Sequence, residues 1–271
     1  MKFIRLNAVW LSDIHLGYKG CRADFLLDFL DSIDFDTLYL VGDVVDFWSM
    51  KKRFQWPQKH QEVLERLLDF ARQGRRVIYI PGNHDAWCRS IVDHELLDVL
   101  IAREYIHTTA LGKRLLLVHG DEFDYAVRCS RLNKWLGNAS YEFLLFLNRW
   151  GNRFRKLFKR PYWSLAYYVK NRVANARAAI TAFENAAIAE CKQRKVDGII
   201  CGHIHQPELR LIDDKLYCND GDWIESCTAL VEHRNGELEL IHWGDLQQAL
   251  KTQAVADSDS HAPLRLPNLA R

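Results

Sequence analysis

Seven side chains with metal-binding chemistry recur along the chain: Asp13 and His15, Asp43, Asn83, His119, then His203 and His205. Asp13 and His15 stand two residues apart, as do His203 and His205. In extended chain that spacing sends both side chains of a pair to one side. Carboxylate, imidazole and amide donors without a thiolate suit Mn²⁺, Fe or Zn²⁺ better than Ca²⁺ or a soft metal. Gathered at one place, they would hold two divalent ions, with one carboxylate able to bridge them. Two ions about 3.5–4 Å apart lower the pKa of a water between them and clamp the oxygens of an in-line displacement at phosphorus. A lone His or Asp at a loop end is ordinarily structural; seven in this arrangement call for a common role.

Each donor group follows a short apolar run. Ile4–Leu11 precedes Asp13 and His15, Thr37–Val41 precedes Gly42-Asp43, and Arg76–Ile80 precedes Gly82-Asn83-His84-Asp85. Arg114–Val118 and Gly198–Cys201 do the same for His119 and for Gly202-His203-Ile204-His205. Runs this apolar predict strands buried on both faces. Val63, Leu64, Leu67, Leu68 and Ala71 predict a helix over Lys59–Gln73, and strand alternating with helix implies βαβ units. Loops beyond the carboxyl ends of such strands converge on one crevice. Thr228–Glu232 and Glu237–Ile241, joined through Asn235-Gly236, predict a hairpin. Residues 125–193 break the rhythm and read as a mostly helical, aromatic-rich cap inserted into a domain over 1–252. Residues 253–271 are polar, carry Pro263 and Pro267, and read as a flexible tail.

Composition narrows the class. The 271 residues are 48% hydrophobic and 27% charged, and the mean hydropathy of -0.25 argues against an integral membrane protein. No apolar run reaches the ~18 residues of a spanning helix. A net charge of +2 does not itself point to nucleic acid. Seven cysteines without a C-x-x-C pair disfavour a disulfide framework and favour a reducing compartment. The start resembles a signal peptide, but Asn7 interrupts its apolar run and Asp13 follows at once. The expectation is a cytoplasmic protein.

The series Asp13-x-His15, Gly42-Asp43-x-x-Asp46, Gly82-Asn83-His84-Asp85, His119 and Gly202-His203-x-His205 resembles the signature of the calcineurin-like metallophosphoesterases. That resemblance implies an α/β fold, a layered β-sheet sandwich flanked by helices, here with an inserted helical cap. It implies one metal on Asp13, His15, Asp43 and His205, and a second on Asp43, Asn83, His119 and His203, with Mn favoured over Fe or Zn. His84 would protonate the leaving oxygen or stabilise phosphoryl charge. Asp46 would orient that imidazole and favour its charged form; the same carboxylate also reads as a helix N-cap. Asp85, Arg89 and Asp121 are further candidates for contacts behind the metals or with substrate. Asp121 reads equally as a bonding partner of a ligand imidazole and as a turn residue, and Arg89 as a phosphate contact or a surface residue.

Within that class the chain is similar to the UDP-2,3-diacylglucosamine pyrophosphohydrolases of lipid A biosynthesis. The similarity lies in length, in an insertion between the His119 and His203 blocks, and in Gly221-Asp222-Trp223. In that group the insertion caps the site and holds acyl chains. Here it carries Phe143, Leu144, Phe146, Trp150, Phe154, Phe158 and Trp163 interleaved with Arg149, Arg153, Arg155, Lys156, Lys159 and Arg160. Such a stripe suits an anionic phosphate substrate, lipid-linked in this reading, or peripheral contact with the inner face of a membrane. An ordinary packed helix with solvated charges gives the same pattern. The chain departs from the group at His84, where the group has Arg, and at Asp46, typically Glu. The expected activity is metal-dependent hydrolysis of a phosphoric ester or pyrophosphate, of the UDP-2,3-diacylglucosamine diphosphatase kind. Its alternatives are a phosphomonoesterase or phosphodiesterase of small or nucleotide substrates, a non-catalytic scaffold, and a peripheral membrane-binding module. Nucleic acid is disfavoured.

Overall fold

Along β1 (Ile4–Leu11) successive side chains enter different cores: Ala8 and Trp10 face one, Val9 and Leu11 another. This is what a strand buried on both faces must do. The computed structural model describes residues 4–126 and 174–246. The first sheet has the order β12 (Leu238–His242), β11 (Thr228–His233), β1, β2 (Ile33–Val41), β3 (Arg76–Ile80), β5 (Val99–Ile101), β4 (His94–Leu96). The second runs β6 (Tyr105–Thr108), β7 (Arg114–Leu117), β8 (Gly198–Cys201), β10 (Lys215–Asn219), β9 (Glu208–Ile212). β1, β2, β3 and β5 are mutually parallel, and so are β7, β8 and β10.

The sheets pack face to face through Trp10, Tyr39, Ile78, Ile80, Leu115, Leu117, Ile200 and Leu230. On the outer face of the first lie α1 (Ala23–Leu30) and α3 (Gln58–Arg72), which buries Val63, Leu67 and Ala71 at four-residue spacing. On the outer face of the second lies α4 (Ala174–Gln193), through Phe183, Ala187, Ile188 and Cys191. The expected α/β sandwich flanked by helices is therefore what forms. The five donor-bearing strands are divided between its sheets, β1 to β3 in one and β7 and β8 in the other. The hairpin turns at Asn235-Gly236, where Gly236 takes φ 82°. Of the segment expected to cap the domain, α4 packs on the second sheet. The aromatic and basic residues 143–163 and the tail 253–271 lie outside the described residues. The six cysteines among the described residues are unpaired, and no helix there is long and apolar enough to cross a membrane.

One polar chain crosses the apolar interior. The Tyr39 hydroxyl donates to His107 Nδ1 (3.0 Å), and His107 Nε2 donates to Glu232 Oε2 (3.1 Å). The Ala110 amide donates to Glu232 Oε1 at 2.7 Å. Trp10 stacks on Tyr39 with ring centroids 5.4 Å apart. Burial alone would raise the Glu232 carboxyl, but the bonds from His107 and Ala110 outweigh it and hold the group below its ordinary value. Its contribution to stability is therefore present above that ordinary value and fades as pH falls through the depressed folded one. Glu232→Ala strands two donors and should cost about 1–3 kcal/mol in urea unfolding at neutral pH. The gap between wild type and Glu232→Gln should narrow as the solution is acidified.

Candidate functional site

The carboxyl ends of the five donor-bearing strands meet at one rim of the sandwich. Backbone bonds tie the loops together: Asp13 N–H donates to Gly42 O (3.0 Å), His15 N–H to Asp43 O (2.9 Å), and Gly202 N–H to His119 O (3.0 Å). Five of the seven expected donors sit in left-handed backbone, Asp13 at φ 49°, His15 at 54°, Asp43 at 53°, His203 at 69° and His205 at 51°. Each such residue costs on the order of 1–3 kcal/mol and persists only where its surroundings enforce it, commonly at functional sites. Two glycines admit the side chains. A Cβ on Gly42 would fall 2.1 Å from His119 Nδ1, and one on Gly82 would fall 2.2 Å from Asp43 Oδ1.

Asp13 Oδ1 lies 3.1 Å from His205 Nε2 and 3.7 Å from His15 Nε2, which is itself 3.7 Å from Asp43 Oδ2. Asp13 Oδ1 and His15 Nε2 are buried and make no hydrogen bond. Beside them, His119 commits Nδ1–H to the Val41 carbonyl at 2.9 Å. That fixes the tautomer and turns the Nε2 lone pair toward Asn83 Oδ1 (3.2 Å) and Asp43 Oδ1 (3.5 Å). Donor atoms of Asp13, His15 and His205 converge within 4.8 Å, and so do those of Asp13, Asp43 and His119. Oxygen and nitrogen lone pairs aimed at one another in a buried space need positive charge between them. These residues fit divalent cations.

Protons supply that charge where a cation does not. Burial alone would lower the His15 imidazole, but Asp13 and Asp46 push it up to about 10. His119 is raised well above its ordinary value because Asp43 outweighs burial in the same way. Burial works to raise the Asp13 and Asp43 carboxyls, yet His205 beside the first and His119 beside the second hold both below the usual range.

His203 lies near this centre, its ring 5.2 Å from that of His119, with Nε2 at 2.9 Å from Asp124 Oδ1. Asp121 instead forms a two-point pair with Arg89 (3.0 and 2.6 Å), and Arg89 also donates to the Pro81 carbonyl. The carboxylate touching a donor imidazole on this loop is thus Asp124, whereas the sequence reading gave that contact to Asp121. The spacing of Asp121, Glu122 and Asp124 in one helical turn did not distinguish them. Asp85 is fully buried and accepts from the amides of Gly82 (2.6 Å) and Val44 (2.7 Å), tying the β3 loop to the β2 loop.

Asp46 is both an N-cap and an imidazole partner. Its Oδ1 accepts from Ser49 N (2.7 Å) at the start of α2 (Phe47–Lys52) and from His84 Nδ1 (2.9 Å). Its Oδ2 accepts from Ser49 Oγ (2.7 Å) and His15 Nδ1 (3.2 Å). Burial would raise this carboxyl, but the bonds from His15, His84 and Ser49 hold it far below the usual range. His84 Nε2 then faces the cluster, 4.0 Å from Asp43 Oδ2. Trp48 lies over the His84 ring at 4.2 Å between centroids. Its position one residue inside the helix that Asp46 caps was the available signal, and it was missed.

Residues 6–207 match the family profile described as calcineurin-like phosphoesterase. The chain is 24% identical to the UDP-2,3-diacylglucosamine hydrolase of Porphyromonas gingivalis over 82% of its own length and 92% of that protein. It is 25% identical to the enzyme of the same name from Tolumonas auensis, over 80% of this chain and 89% of the other. A shorter stretch, 42% of this chain and 47% of the relative, is 30% identical to the one from Photorhabdus laumondii.

Divalent cation at a hundredfold excess over its dissociation constant should stabilise the fold by about 2.7 kcal/mol, seen as a rise in Tm. Asp43→Asn should abolish most of that rise. Gly82→Ala should do the same, because the added Cβ would fall 2.2 Å from Asp43 Oδ1, 2.7 Å from the Asp43 backbone nitrogen and 2.7 Å from His119 Nε2.

Proposed function

This chain belongs to the calcineurin-like phosphoesterases, and on that footing we propose that it is a dinuclear pyrophosphohydrolase acting on an amphiphilic phosphate of the UDP-2,3-diacylglucosamine kind. The observation that carries the reading is the convergence of ligand atoms of Asp13, His15 and His205, and of Asp13, Asp43 and His119, with Asp13 Oδ1 and His15 Nε2 buried and unpaired. Asp13, His15, Asp43 and His205 would hold one cation, and Asp43, Asn83, His119 and His203 the other; Mn²⁺ is our choice from the mixed donor set. Bound there, the cations acidify water and neutralise phosphoryl charge.

The remaining work falls to the chain itself. His84 has Nδ1 committed to Asp46, so Nε2 is the nitrogen available to give a proton to the leaving oxygen. Asp46, saturated by four donors, keeps that imidazole oriented. Trp48 restricts the ring from its other side. Asp85 keeps the loop bearing Asn83 and His84 against the loop bearing Asp43.

Three relatives named UDP-2,3-diacylglucosamine hydrolase support the choice of substrate class. The interleaved basic and aromatic residues 143–163 suit it too, and support a reading in which the protein works against the anionic surface of a membrane. A second reading, a phosphomonoesterase or phosphodiesterase of small or nucleotide substrates, is favoured by the His84–Asp46 pair, where the named group carries Arg and Glu. Purified protein with Mn²⁺ should cleave the pyrophosphate of UDP-2,3-diacylglucosamine, and His84→Ala should lower kcat by about 10²–10⁴ with little change in KM. Cleavage of nitrophenyl esters alone would select the second reading. No turnover on any of these substrates, with cation demonstrably bound, would overturn both.

A further inference from the structure

Behind Asp13 stand two side chains that the reaction does not use directly. Ser12 Oγ lies 2.6 Å from Asp13 Oδ2 and 2.6 Å from Asp220 Oδ1. All three residues are buried, with exposures of 1%, 0% and 0%. A hydroxyl has a single hydrogen to donate, so it can serve only one of these two carboxyl oxygens. The other contact, equally short, requires a hydrogen on the carboxyl itself.

The surroundings decide which carboxyl carries it. Asp13 accepts the His203 amide on Oδ2 at 2.8 Å and has the His205 imidazole beside Oδ1, with Nε2 at 3.1 Å. Asp220 forms no ion pair among the described residues, and its Oδ2 has no hydrogen-bond partner. An isolated buried carboxylate is far more costly than a neutral acid, and burial pushes the Asp220 carboxyl well above its ordinary value.

We propose that Asp220 donates a carboxyl hydrogen to Ser12 and that Ser12 donates its own to Asp13. Together they act as positioning residues that fix Asp13 Oδ2 and leave Oδ1 aimed at the cation. The hydrogen-bonded chain runs one way: acid, hydroxyl, carboxylate. Its neutral end adds no further anion behind a cluster already rich in them. Such outer partners commonly govern metal affinity by about 10–100-fold. The role rests on the reading of Asp13 as a metal ligand, whereas the hydrogen on Asp220 does not.

Two measurements test it. Infrared spectra of the cation-free protein at neutral pH should show a protonated-carboxyl stretch that disappears in Asp220→Asn; its absence from the wild type would overturn the hydrogen assignment. In calorimetric titration with Mn²⁺, Asp220→Asn, whose amide can donate in place of the acid, should bind within about threefold of wild type, while Ser12→Ala and Asp220→Ala weaken about tenfold or more. Asparagine as damaging as alanine, or a Ser12→Ala variant with unchanged affinity, would overturn the positioning role. If either alanine variant fails to fold, the infrared band and the asparagine titration still decide. A wild type that binds no divalent cation would defeat the metal reading and the positioning role with it, while the infrared result still stands or falls alone.

Discussion

Asp13 Oδ1, Asp43, Asn83 Oδ1 and the Nε2 atoms of His15, His119 and His205 present lone pairs to one another where water scarcely reaches. That mutual repulsion must be met by positive charge, and the rest of the structure keeps the groups from moving apart to relieve it. Two sheets bring five strand ends to one rim, Asp85 ties adjacent loops, and left-handed backbone at Asp13, His15, Asp43, His203 and His205 turns the side chains inward. Strain of this kind is stable only because the sandwich behind it is densely apolar.

The same constraint explains the reach of Asp46. One carboxylate starts α2, holds His15 by Nδ1 and holds His84 by Nδ1. In both rings this leaves Nε2 directed at the centre. A helix cap thus fixes the His15 and His84 imidazoles relative to each other, and a shift of α2 would disturb both.

Much of this was legible in the sequence because the chemistry is concentrated at strand ends. Asp13, His15, Asp43, Asn83, His119, His203 and His205 announce themselves by type and by the apolar runs before them. α3 and the terminal hairpin follow from periodicity and from Asn235-Gly236. The division of strands between two sheets was not legible, since β3 and β7 read alike as buried runs and pairing partners depend on tertiary contacts. Nor was the exchange of roles between Asp121 and Asp124, which a helical turn sends to Arg89 and His203 respectively. Ser12 and Asp220 carry no spacing signal at all: they are distant in sequence, and only burial makes their contact informative. The β9–β10 pair, with charged and exposed positions on β9, also lacked the apolar signature of the other strands.

Anomalous scattering from crystals grown with Mn²⁺ addresses the shared cradle directly. Two peaks per chain are expected, one in contact with Asp13 and His205, the other with Asn83 and His119, and both with the Asp43 carboxylate. A single peak at saturating cation, or peaks remote from Asp43, would contradict it.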